Sequence, residues 1–290
     1  MPNEHQFSDL LASAIDKVGS PVCVGIDPVA SKLPREFRGL PPAEGAGRFS
    51  ERVLDLVAGV VPSVKVQSAC FERFGWAGVA AMERVVAKAR SLGFVVVLDA
   101  KRGDIGSTSE HYAAAAAAAG AHAITVNGYL GRSGIEPFLG AGLGVFVLVR
   151  TSNPDSDALQ GAKLVDGRTV SELLAAHVED LGESHVGTRG LSNVGAVVGA
   201  TKSSEGEALR AIMQDQIFLV PGYGAQGGTA EDIRPLLRAD RTSPGTSGVL
   251  VNASRSVIFA GGERANWAEA VRAAAVAFAA DVAAASVNSQ

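Results

Sequence analysis

Two cysteines, three tyrosines, two tryptophans and seven lysines are all that 290 residues supply of four chemically demanding residue types. The two cysteines, Cys23 and Cys70, sit inside apolar stretches and have no Cys-x-x-Cys spacing. They are expected to be buried free thiols in a reducing cytoplasm rather than a disulfide or a metal site. His5, His177 and His185 have no metal-ligand spacing with any carboxylate, and His111 and His122 read as surface or packing residues. No metal ligand set is therefore expected. No apolar stretch approaches the ~20 residues that a spanning helix needs, which argues against a membrane role. The first ten residues lack a basic segment and an apolar core, so no signal peptide is expected and a cytoplasmic location is. A net charge of −4 gives no general attraction for nucleic acid or anionic lipid. The Gly-x-Gly-x-x-Gly turn of a dinucleotide-binding sheet is missing after the first apolar run, and no Gly-Lys-Ser/Thr phosphate loop is present.

What is there is alternation. Eight short β-rich runs occur: Val22–Ile26, Val64–Val66, Val95–Leu98, Ala123–Val126, Val145–Val149, Gly195–Val198, Ile217–Val220 and Gly248–Val251. Few polar residues interrupt them, as suits parallel strands covered on both faces. Helical patterns lie between: Ser50–Val60 with a capping serine, Trp76–Leu92 ending at Gly93, Ser107–Ala119, Ser171–Leu181, Ser204–Gln214, Ala230–Arg238 and Asn266–Ala285. Phe7–Val18 reads as an extra N-terminal helix. Seven alanines, Ala113 to Ala119, suit a tightly packed helix, and Trp76 and Trp267 are expected to pack against the strands. The pattern predicts an α/β fold, a single (β/α)8 TIM barrel spanning residues 1–290, with an insertion after strand 5 at Asn153–Asn193. A doubly wound sheet is the structural alternative.

Barrel chemistry gathers at the carboxyl ends of the strands. The first strand ends at Asp27-Pro28, and the second carries Lys65 and Gln67. The third ends in Asp99-Ala-Lys101-Arg-Gly-Asp104-Ile105, the most informative string in the chain. A strand places Asp99 and Lys101 on one face, where an ammonium beside carboxylates can donate a proton. A solvated ion pair at a strand end is the plain alternative. Ser152 follows the fifth strand. Four glycines and Gln226 follow Pro221 after the seventh, and Ser254-Arg255 follows the eighth. Barrels commonly bind phosphate at these last two loops, and arginine offers it planar paired donors. A tight turn and a helix cap would explain the same residues without a ligand.

The string Asp99-Ala-Lys-Arg-Gly-Asp104-Ile105 resembles the Asp-x-Lys-x-x-Asp-Ile signature of the orotidine 5′-phosphate decarboxylase family. Further blocks match that family in order: Gly25-Ile-Asp27-Pro, Val64-Lys65-Val-Gln, Thr151-Ser-Asn-Pro154, Val197-Val-Gly-Ala-Thr201, Pro221-Gly-Tyr-Gly-Ala-Gln226-Gly-Gly228 and Ser254-Arg255-Ser256. The Thr-Ser-Asn-Pro block resembles the longer bacterial branch. Ser254 departs from the glycine that many members carry there. The resemblance implies conversion of orotidine 5′-phosphate to uridine 5′-phosphate and CO2 without a cofactor, the last step of UMP biosynthesis. It implies that Lys101 protonates C6, that Asp99 faces the substrate carboxylate, and that Asp27 and Lys65 hold the ribose hydroxyls. Asp104, Ile105 and Thr108 would enter the site of a second subunit, making a shared-site homodimer. Ser152 would bind the pyrimidine. Pro221 would line the substrate site, and Gln226 and Arg255 would hold the phosphate, with the loop around Gln226 closing as a lid. Two other functions stay open. One is a magnesium-dependent keto-sugar-phosphate decarboxylase of the same barrel group, against which Lys65 stands where those relatives place a glutamate ligand. The other is a non-catalytic phosphate-binding barrel.

Overall fold

The computed structural model describes residues 6–224, 227–262 and 264–286. All eight apolar runs are strands: β1 (Val22–Ile26), β2 (Ser63–Gln67), β3 (Val95–Arg102), β4 (Ala123–Val126), β5 (Gly144–Arg150), β6 (Ser192–Val198), β7 (Gln216–Val220) and β8 (Val249–Ala253). They pair in parallel in chain order, and β8 closes onto β1 with Cys23 opposite Asn252. Outward side chains pack under the helices and inward ones fill the barrel, so both faces are apolar and the runs lack a polar alternation.

The helix before the barrel is α1 (Phe7–Val18), followed by α2 (Pro42–Val57), α3 (Gly75–Ser91), α4 (Gly106–Ala118), α5 (Glu136–Gly140), α6 (Val170–Gly182), α7 (Ser203–Ile212), α8 (Ala230–Ile233) and α9 (Trp267–Ser286). The bounds of α1 agree with the sequence pattern, and α1 buries Phe7, Leu11, Ala12 and Ile15 against the barrel interior. Phe7 stands edge-on to Phe146, 5.7 Å between ring centres. Gly144 has no Cβ because that atom would lie 2.1 Å from the Phe7 ring. Asp9 takes the backbone N–H groups of Thr188 and Arg189, and Asp16 that of Gly245, tying α1 to the amino-terminal rim of β6 and β8. The bottom of the barrel is closed.

Several expectations fail for local reasons. Ser50 does not cap a helix: α2 begins two turns earlier at Pro42, whose missing N–H costs nothing in a first turn. Ser50 is buried mid-helix and donates to the Ala46 carbonyl at 2.7 Å. The α8 helix stops at Ile233 and continues only as a 3-10 turn through Leu236, because Pro235 has no N–H to carry the α-pattern on. The short α5, unforeseen, fills the connection between β4 and β5. The alanine helix α4 packs one side only: Ala113 and Ala116 are buried, while Ala114, Ala115 and Ala118 face out. Trp76 does not pack on the barrel. It is 86% exposed, whereas Trp267 is buried against Phe37 and Phe49 and donates its indole N–H to Glu36. The long connection after β5 carries two short helical turns before α6, which a capping box at Thr169 and Glu172 starts.

Candidate active site

A cavity of about 450 Å³ opens at the carboxyl ends of the strands. Five predicted residues from four strand ends line it together: Asp27, Lys65, Asp99, Lys101 and Ser152, with Pro221 and Arg255 also in its wall. Asp99 is 5% exposed and is the hub. Its Oδ1 accepts from Lys101 Nζ at 2.5 Å and Thr125 Oγ1 at 2.9 Å; its Oδ2 accepts from Lys65 Nζ at 2.7 Å and Gln67 Nε2 at 3.0 Å. Those four bonds fill the usual capacity of a carboxylate. Burial by itself would raise the Asp99 pKa, but the ammoniums of Lys65 and Lys101 outweigh it and hold the carboxyl well below the usual range.

Lys65 shows the mirror case. Burial favours its neutral form, yet Asp27 and Asp99 overcome that and raise its pKa above the usual lysine value. A buried lysine without such partners would lose its charge or destabilise the fold. Asp27 Oδ1 lies 3.7 Å from Lys65 Nζ, too far for a hydrogen bond, and is buried without a hydrogen-bond partner. It is an acceptor with capacity to spare beside the cavity. The Asp27, Lys65, Asp99 and Lys101 side chains thus alternate in sign across the floor.

Lys101 sits on distorted backbone. Between Leu98 and Arg102 the register of β3 against β4 slips, with four steps along β3 matching two along β4. Within that bulge Lys101 has φ +45°, the only non-glycine residue in the left-handed region among the described residues. Such a conformation costs a long side chain roughly 1–2 kcal/mol, and other contacts must hold it. The Lys101 N–H leaves the ladder and donates to Thr125 Oγ1 at 2.9 Å.

Ser152 is held through Arg150, which is 3% exposed. Its guanidinium forks onto Glu205 at 2.7 and 2.9 Å and reaches Asp157 at 2.6 Å and Ser156 Oγ at 2.9 Å. Ser156 in turn donates to the carbonyls of Thr151 and Asn153 on either side of Ser152. At the other end of the cavity Gly222 (φ +98°), Gly224 (φ +67°) and Gly227 (φ +91°) shape the loop after β7. Gly228 donates back to the Gly222 carbonyl, and Tyr223 bonds Asp281 of α9. Burial and the neighbouring Asp281 carboxylate both raise the Tyr223 pKa, so its phenol stays a donor. Gln226 lies outside the described residues. Asp104, Ile105 and Thr108 do not line this cavity. Asp104 accepts the Ile105 N–H instead, and Ile105 is 63% exposed.

Sequence reasoning did not single out Thr125, Gln160 or Asn252, which also line the cavity, nor the Arg150 brace. Thr125 carried a usable signal, as the one polar residue of β4.

The fold and the site together define a (β/α)8-barrel enzyme built around an alternating lysine–aspartate array, with an arginine in the cavity wall. The chain belongs to the orotidine 5′-phosphate decarboxylase / HUMPS family, whose model matches residues 20–270. An orotidine 5′-phosphate decarboxylase of Rhodopirellula baltica is 39% identical, over 93% of this chain and 96% of the relative. A solved chain from Toxoplasma gondii is 34% identical with a TM-score of 0.86, covering 97% of this chain and 96% of the other. The OMP decarboxylase of Leishmania donovani is 33% identical with a TM-score of 0.79, covering 97% and 99%.

Proposed function

We propose that the chain, as one catalytic domain over residues 1–290, decarboxylates orotidine 5′-phosphate to uridine 5′-phosphate and CO2, closing UMP biosynthesis in the cytoplasm. Lys101 at 2.5 Å from a carboxylate saturated with hydrogen bonds carries this reading. Loss of CO2 from C6 leaves an electron pair in an sp² orbital that the ring delocalises poorly. The C–C pair stays on C6, and the Lys101 ammonium gives C6 its proton; solvent then reprotonates the amine. The fixed cation also stabilises the carbanion as it forms. At ~4 Å and an effective dielectric near 20, one charge pair is worth about 4 kcal/mol, against barrier reductions of about 8–23 kcal/mol for enzymes generally. The remainder falls to orientation and to remote binding energy, which assigns work to the phosphate grip of Arg255 and Gln226.

Asp27, with its unfilled Oδ1, and Lys65 take the ribose hydroxyls, and Ser152 takes the pyrimidine. Pro221 lines the phosphate side. No cofactor enters this scheme. Asp104, Ile105 and Thr108 serve a neighbouring subunit in a homodimer. Supporting this, Trp76, Ile105, Tyr129 and Leu130 expose large apolar surface on three successive connections, after β2, β3 and β4.

The test is the ultraviolet change from the orotate to the uracil chromophore, followed in the presence of a metal chelator. Wild-type protein is expected to turn over, and Lys101→Ala to lose roughly 10²–10⁴-fold or more in kcat while still binding uridine 5′-phosphate. No absorbance change with folded wild-type protein, or near-normal turnover by Lys101→Ala, overturns the proposal.

A further inference from the structure

We propose that Thr125 is the positioning residue that aims Lys101, an inference resting on the decarboxylase reading above. Thr125 points into the barrel from β4 and is 1% exposed. Its hydroxyl has two partners, the Lys101 N–H at 2.9 Å and Asp99 Oδ1 at 2.9 Å. The direction of both bonds is fixed. An amide N–H can only donate, so the hydroxyl oxygen accepts it, and the one hydroxyl proton goes to the carboxylate.

Lys101 is thereby held at both ends of its own residue. Its main chain is fastened to Thr125, and its Nζ returns to the same Asp99 oxygen that Thr125 bonds. The ring of contacts runs from Lys101 N to Thr125, to Asp99, to Lys101 Nζ. This is what stabilises a lysine at φ +45° inside a register slip, where the β4 ladder offers its N–H no carbonyl. Without the hydroxyl, the Lys101 N–H and one Asp99 lone pair lose their shared partner. The bulge can then relax toward a regular strand, and the ammonium swings away from C6. A small misplacement is enough to lower the rate of a step that depends on alignment. Substrate grip is unaffected, because the phosphate and ribose contacts come from β1, β2, β7 and β8.

Thr125→Val keeps the shape and removes the hydroxyl; Thr125→Ser keeps the hydroxyl and removes a methyl. With orotidine 5′-phosphate as substrate, Thr125→Val is expected to lose about 10–100-fold in kcat. Its KM, and its affinity for uridine 5′-phosphate, are expected to stay within about threefold. Thr125→Ser is expected to keep kcat within about threefold. If the valine variant does not fold, Thr125→Ala takes its place in the comparison with serine. Equal kcat in the hydroxyl-bearing and hydroxyl-free variants overturns the proposal. So does a kcat loss matched by the same loss in uridine 5′-phosphate binding and thermal midpoint, which marks a purely structural role. Lys101→Ala run alongside separates the two readings. If it is inactive while Thr125→Val is normal, only the Thr125 inference fails; if it is active, the decarboxylase mechanism fails first.

Discussion

Gly25 decides how near β1 and β8 can come beneath the cavity. A Cβ there would lie 1.9 Å from Ser254 Oγ, 2.9 Å from Ser254 Cβ and 3.3 Å from Asn252 Oδ1. Ser254 immediately precedes Arg255, so displacing it moves the arginine that faces the cavity. Gly25→Ala is expected to cost about 1–3 kcal/mol in stability and to raise KM more than it lowers kcat. Ser254→Gly removes both close contacts, so the double variant Gly25→Ala/Ser254→Gly should regain most of the lost affinity in steady-state kinetics. Failure of the double variant to recover would show that Gly25 matters for some reason other than this contact. With Ser254 at this place, the facing strand has no room for a side chain at Gly25. The charged residues were legible because lysines and aspartates at the ends of apolar runs are conspicuous. Thr125 stood out as the one polar residue of β4, but its direction was not legible, since a polar side chain inside a strand looks the same whether it faces a helix or a site.

At the scale of elements, the strands and most helix bounds were legible, and the start of α2 and the end of α8 were not. A strand covered on both faces writes itself as an unbroken apolar run. Helices start and stop on finer chemistry: Ser50 has the residue type of a cap but sits a full two turns inside α2, and Pro235 cuts α8 short. Bonds between distant elements were the least legible, because barrel closure, not local pattern, brings Arg150 to Glu205 and Tyr223 to Asp281. One such link makes a pH prediction. His122, just before β4, accepts the Val96 N–H of β3 through Nδ1 at 2.9 Å. Burial and, secondly, the Arg90 charge lower its pKa to about 4, against 6.5 in the unfolded chain. Below pH 6.5 the unfolded chain therefore binds a proton that the folded protein does not, and stability falls as pH drops, until the folded group protonates near pH 4. Asparagine can keep an acceptor near the Nδ1 position without titrating. The thermal midpoint of the wild type should thus fall more steeply over this window than that of His122→Asn. Parallel profiles would remove His122 from the account.

For the whole molecule, the divided string at the end of β3 has a consequence for subunit mixing. Asp99 and Lys101 line the chain's own cavity, whereas Asp104 does not. In the proposed dimer each site combines Lys101 of one subunit with Asp104 of the other. Lys101→Ala and Asp104→Ala chains, each nearly inactive alone, would form in their heterodimer one doubly altered site and one intact site. Co-expressed at equal levels with random pairing, they should recover about a quarter of wild-type activity per site. Activity no higher than the average of the two parents would show that sites are not shared. The barrel itself was legible from eight alternating runs, but its surface was not. The sequence offers no distinction between a tryptophan buried between helices, as Trp267 is against Phe37 and Phe49, and one left in the open, as Trp76 is.

The α1 plug turns the barrel into a cul-de-sac. Among the described residues Phe7, Leu11 and Ile15 fill the amino-terminal end and the cavity lies at the loop end, so in the proposed reaction substrate and both products use the same doorway. In the proposed reaction the gas is released on the floor, beneath a nucleotide still gripped by its phosphate. Carbon dioxide has to slip out past that nucleotide or wait for it. The order in which the two products depart is therefore set by how tightly the doorway closes, and a channel opened through α1 would give the gas a back exit.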